Sequence, residues 1–144
     1  MLVNDTKDHL AEALLLLMEE KPFAGITIPE IAQKAGFSRA TWFRHFSSKR
    51  DAAVYALIRK WDQWAEAHQL KNHTEISPDI AESFVEYIYS MRRIRKILDY
   101  NGLHSAELDA FMLILIEDNK PKKKEDYLQR VFLTYGITGI IEAW

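Results

Sequence analysis

Between Ile26 and Lys49 the sequence sets out three helix-start signals in succession, and this spacing constrains the fold more than anything else in the chain. Thr27 to Glu30 reads T-x-x-E, the capping box that opens a helix. Ser38 is a second N-cap, followed by Arg39, Ala40 and Thr41 as first helical residues. Ser48, three residues before Asp51, is a third. Gly36 lies between the first two, where one helix has to stop and the chain has to turn sharply. Two short helices joined by a tight glycine turn predict a helix-turn-helix.

In that motif the second helix enters the DNA major groove. The charge distribution agrees. The net charge of the whole chain is −2. Met1 to Lys60 nevertheless carries nine Lys/Arg against seven Asp/Glu, and Ile28 to Lys60 carries seven against two. Trp61 to Trp144 carries ten against fourteen. Positive charge is thus concentrated where phosphates would be neutralised. Arg39 and Arg44 have the donors to read guanine or to hold phosphate. Phe43 and Phe46 already give this short helix an apolar surface, so Trp42 is expected to face DNA, against a sugar or a thymine methyl.

Ile31 and Ala32, Ala35 and Gly36, Ser38, Thr41, His45 and Phe46, and Ser48 and Lys49 resemble, in kind and in spacing, the N-terminal signature of the TetR family of bacterial transcriptional regulators. The resemblance covers roughly the first third of the chain and runs from Thr27 to Lys49 without a gap. Three positions depart from the family pattern. Ala40 stands for a common glycine, Trp42 precedes the usual tyrosine position, and Phe43 replaces that tyrosine and lacks a phosphate-binding hydroxyl.

The resemblance implies an all-α protein. Residues 1–48 would form a three-helix DNA-binding domain and residues 49–144 a helical effector-binding and dimerisation domain. It implies DNA contacts from Thr27, Ser38, Arg39, Ala40, Thr41, Trp42, Arg44, His45 and Lys49, with His45 and Lys49 on the backbone. The expected partners are a palindromic double-stranded operator, a small-molecule effector and a second copy of the chain. The expected role is a ligand-responsive repressor. The alternative is a co-regulator that binds another protein through its C-terminal helices and touches DNA weakly.

Hydrophobic periodicity extends the helices along the chain. Leu10, Leu14, Leu17 and Met18 make one stripe from Asp5 to Glu20, and Lys21 to Gly25 breaks it. Helices are predicted over Ile28 to Ala35, Arg39 to Phe46 and Lys49 to about His68. Another starts at Ser77 and Pro78 and runs to about Met91. Asn101 and Gly102 break the chain, and helices follow from about Ser105 to Asp118 and Glu125 to Trp144.

Beyond the basic segment the chain is rich in aromatics. By themselves such residues read first as core, but the resemblance implies an effector pocket in this region, with Trp61, Trp64, Phe84, Tyr87, Tyr100, Phe111 and Phe132 as candidates to line it. In the last helix Gly136, Gly139 and Ala143 form a smooth strip beside Ile137, Ile140, Ile141 and Trp144. Glycine costs a helix roughly 1 kcal/mol relative to alanine, so close approach of another helix is the expected reason. Tyr135, Gly136, Gly139, Ile140 and Ala143 are therefore the candidate dimer surface. The chain is shorter than its resemblance leads one to expect, and it reads as C-terminally incomplete.

Catalysis and metal binding find no support. His68 and His73 are five apart and flank a loop, and His9 and His104 have no ligand-like neighbour in sequence. There is no Gly-rich phosphate loop and no nucleophile elbow. No enzyme activity, cofactor or metal is expected. The longest apolar runs, Ala13 to Met18 and Phe111 to Ile116, are six residues each and too short for a bilayer. No signal peptide is expected from Met-Leu-Val-Asn-Asp, and a chain with no cysteine fits the cytoplasm.

Overall fold

The structure is a computed structural model, and it describes residues 5–69, 85–114 and 123–143. His73, the helix start at Ser77 and Pro78, the effector candidate Phe84, and Trp144 lie outside the described residues. Those described are helical, with turns and no strand.

The first helix, α1, spans Asp5–Glu20. It buries Leu10, Leu14, Leu17 and Met18 as its periodicity requires, and also Ala11, Ala13 and Leu15. The wider buried face has a simple cause: α1 is covered from more than one side. A single 3-10 turn, Phe23–Gly25, leads to α2 over Ile28–Lys34. The capping box at its start is closed in both directions. Glu30 N–H donates to Thr27 Oγ1 at 3.4 Å, and Thr27 N–H donates to Glu30 Oε2 at 2.8 Å.

Gly36 ends α2 with φ +78°, in the left-handed region that glycine enters without penalty. Its N–H donates to Gln33 O at 3.1 Å, and Phe37 N–H donates to Ala32 O at 2.8 Å. This double bond pattern satisfies two carbonyls at the helix end and redirects the chain. Ser38 then caps α3, Arg39–His45, with Oγ accepting from Thr41 N–H at 3.2 Å. Ser48 caps α4, Lys49–Ala67, in the same way at 3.0 Å.

Residues 85–90 are helical, and α5 follows over Arg92–Tyr100. Sequence periodicity had not separated α5 from its surroundings. Gly102, with φ +68°, ends it by the same double bond pattern as Gly36. Buried Leu98 and Leu103 lie at the two ends of the shorter of these bonds, 2.8 Å. Helix α6 covers His104–Met112, and α7 covers Lys124–Ala143.

Helix α1 packs on α2, α4 and α5, and α2 packs on α3. Helix α4 also packs on α6, which contacts α5 and α7. One apolar cluster runs from Leu10 and Leu14 through Trp42, Phe46 and Leu57 to Tyr87, Leu98 and Phe111. Helix α4 is its spine, with Ala52 to Ile58 buried without interruption.

Candidate nucleic-acid interface

Helix α3 is short, and its two faces are sharply different. Trp42 and Phe46 point inward; Trp42 is 0% exposed. Their ring centres are 5.1 Å apart, and Phe46 in turn meets Tyr55 of α4 edge-on at 5.6 Å. Lys7 lies over both the Phe46 and Tyr55 rings, and the Tyr55 hydroxyl donates to Asp8 at 2.6 Å. Burial, with the Asp8 carboxylate beside it, raises the Tyr55 pKa. These contacts fix the angle of α3 against α1 and α4.

The opposite side of α3 presents Arg39, Ala40, Phe43 and Arg44 to solvent. Positions 39, 40, 43 and 44 are i, i+1, i+4 and i+5, one contiguous strip on a helix. Thr41 and His45 flank it and are half-buried. Thr27 and Ser38, at the starts of α2 and α3, are exposed beside it. Ser38 and Thr41 share a hydroxyl contact of 3.0 Å, so both serve the helix start as well.

Two expectations from the sequence require correction. Trp42 does not face DNA; its indole fills the core between α3 and the helices beneath. The exposed aromatic ring is Phe43, 54% accessible. The signal was present in the spacing: Trp42 and Phe46 are i and i+4, so anchoring Phe46 inward carries Trp42 inward with it, while Phe43 stands a third of a turn away.

Lys49 is the second correction. Its ammonium is spent inside the fold. Nζ donates to Phe23 O and Ile26 O, each at 2.7 Å, and sits 4.5 Å from the centre of the Phe23 ring. Burial pulls its pKa below the usual lysine value. Lys49 therefore stitches the start of α4 to the turn between α1 and α2 rather than reaching outward. The Lys21 ammonium pairs with Glu30 beside the same turn and, with the Thr27 bonds, holds the Glu30 carboxyl down at about 2.

The turn is also held from the C-terminal half. Phe23 N–H donates to Asn101 Oδ1 at 2.6 Å, while Asn101 Nδ2 donates to Ile97 O at 2.7 Å. Arg50, the second residue of α4, reaches α6 through Asp109 at 2.5 Å and Ser105 at 3.0 Å. Arg93 meets Glu19 at 2.7 Å. The end of α1, the turn after it and the start of α4 are thus each tied to the segment of α5 and α6. Sequence reasoning singled out none of these residues for this role, because long-range pairing leaves no local pattern.

The aromatic candidates separate into two groups. Trp61 and Trp64 of α4 meet Tyr87, with ring centres 5.1 and 5.9 Å from it. Trp64 also stacks on His68 at 3.9 Å. The Trp64 Nε1 is buried and has no hydrogen-bond partner. Phe111 is buried in the same continuous core. Tyr100 and Phe132 do not join this cluster: they are 79% and 76% exposed. Tyr100 instead edges an open groove with Met18, Lys21 and Ile97.

On α7, Tyr135, Gly136, Gly139, Ile140 and Ala143 are all exposed. No atom beyond the adjoining backbone of α7 lies within 4 Å of a Cβ placed at Gly136 or Gly139. Among the described residues no cluster of three or more metal-ligating side chains occurs, and no helix is long and apolar enough to cross a membrane.

A family model described as bacterial regulatory proteins, tetR family, matches residues 10–53, from within α1 to the first turn of α4. No curated protein and no solved structure matches the chain.

Proposed function

From the match of residues 10–53 to a model of the tetR family of bacterial regulatory proteins, we propose that the chain is a DNA-binding regulator of transcription, a ligand-responsive repressor acting as a homodimer on a palindromic operator. The observation that carries this reading is the two-sided α3. Trp42 locks one face into the core, and Arg39, Ala40 and Arg44 are held outward together on the other.

In this reading residues 1–48 bind DNA and residues 49–144 bind effector and partner. Arg39 and Arg44 reach base edges or phosphates, and Thr27, Ser38, Thr41 and His45 contact the backbone around them. Two such helices, one from each protomer, enter successive major grooves about one turn apart. The exposed strip of α7 is the surface through which the two copies meet.

The effector site we propose lies at the Trp61, Trp64 and Tyr87 cluster. It is apolar, and the unpartnered Trp64 Nε1 offers a ligand one donor. Occupation there would shift α4. The edge-on contact of Tyr55 with Phe46, nearer its other end, carries that shift to α3. The ligand then selects between two spacings of the recognition helices.

Selection of bound sequences from a random DNA pool by the purified chain tests this function. An enriched inverted repeat with half-sites one turn apart is expected. No enrichment would favour instead a co-regulator that uses the exposed α7 face to bind another protein.

A further inference from the structure

Phe43 has no role in phosphate binding, since its ring carries no donor. It nevertheless stands in the middle of the outward strip of α3, between Arg39 and Arg44, with Ala40 one turn before it. More than half of its surface is in water. The guanidinium of Arg39 lies over the ring, 5.5 Å from its centre. A basic strip with an apolar centre matches a surface that is anionic at its edges and carries an apolar group between them. The major groove is such a surface: phosphates line it, and the C5-methyl of thymine is the apolar feature of its floor.

Resting on the DNA-binding reading above, we propose that Phe43 is a specificity residue that packs against a thymine methyl, and that Arg39, held on its ring, reads the guanine of the neighbouring base pair. Successive base pairs lie ~3.4 Å apart along the duplex. That is of the same order as the separation of guanidinium and ring, so the two groups reach adjacent base pairs. Stacking on Phe43 also limits the orientations open to the Arg39 fork, whose two parallel donors suit guanine O6 and N7. Ala40 is small enough to leave the ring room to approach. Tyrosine at position 43 would bring a hydroxyl to this spot and favour a phosphate oxygen; phenylalanine turns the same position towards the bases.

The test removes one methyl group from the DNA and nothing from the protein. In the motif selected by the full chain, each thymine is replaced singly by deoxyuridine, and affinities are compared. One thymine per half-site is expected to lose about fourfold on replacement, the effect of one buried carbon group. At that position Phe43→Ala is expected to bind both duplexes equally. Arg39→Ala is expected to lose discrimination at the adjacent guanine. Deoxyuridine tolerated at every position, or penalised equally in Phe43→Ala, overturns the assignment while leaving DNA binding standing. A wild-type chain that selects no motif overturns the DNA-binding reading itself, and this assignment with it.

Discussion

The ammonium of Lys49 lies 2.7 Å from the carbonyl oxygen of Phe23 and 4.5 Å from the centre of the same residue's ring. The first residue of α4 is therefore bonded to the turn that joins α1 to α2. Two carbonyls, Phe23 and Ile26, accept from this one ammonium group. Lys49→Met keeps much of the stem and removes the charge. It is expected to lower stability by about 1–3 kcal/mol, the usual cost of leaving part-buried acceptors without a charged partner. Urea denaturation followed by circular dichroism measures this. A variant as stable as wild type but defective on all DNA would return Lys49 to the phosphate contact expected from sequence.

Trp42 and Phe46 give a second expectation. Trp42→Ala removes a fully buried indole and is expected to cost about 3–5 kcal/mol. Arg44→Ala, on the outer strip, is expected to change stability by less than about 0.5 kcal/mol. Thermal unfolding of the two variants distinguishes them. A stable Trp42→Ala chain with altered base preference would place the indole on the DNA side.

Glu30 supplies a pH dependence. Its pairing with Lys21 and its bonds to Thr27 hold its pKa at about 2, against an ordinary 4.5. A carboxylate with a depressed pKa stabilises the fold above its unfolded value. That contribution is complete above about pH 4.5 and is lost as pH falls towards 2. Because Glu30 is solvent-accessible, screening keeps the effect small. The urea midpoints of wild type and Glu30→Gln are expected to differ at pH 7 and to converge near pH 2. A gap that persists at pH 2 would mean that the capping box, not the charge, is responsible.

The proposed dimer rests on α7. Gly139 is exposed, with open space where a side chain would go, and Ile140 beside it is 68% exposed. Gly139→Leu would fit within the isolated chain and overfill a close helix contact between two copies. It is expected to shift sedimentation from dimer towards monomer and to weaken binding of a two-half-site DNA far more than of a single half-site. A wild-type monomer at micromolar concentration with full affinity for the palindrome would contradict the dimer.

What was legible in the sequence was local. Asp5 and Glu20 bound α1 as its periodicity required, and Thr27, Ser38 and Ser48 cap the next three helices because an N-cap acts within three residues of itself. Gly36 was legible for the same reason. Trp42 turns inward because it stands i, i+4 from Phe46, a relation that outweighs the apolar surface Phe43 offers. The role of Lys49 in the fold leaves no local pattern, because its partners lie more than twenty residues away. The same distance hid Asn101 and Arg50. Among the aromatics, sequence supplied a set but no geometry: Trp61, Trp64 and Tyr87 meet, whereas Tyr100 and Phe132 stand on the surface.

The central claim is that the outer strip of α3 distinguishes bases rather than only holding phosphate. The ratio of affinity for the selected motif to affinity for random DNA, measured for wild type and for the Arg39→Ala, Arg44→Ala double variant at one salt concentration, tests it most directly. Each base-reading arginine is worth about 1–3 kcal/mol of discrimination, so the double variant should lose at least about tenfold of the ratio while retaining its fold. Equal loss on both kinds of DNA, with the ratio unchanged and a shallower salt dependence, would contradict it and reduce the strip to a phosphate clamp.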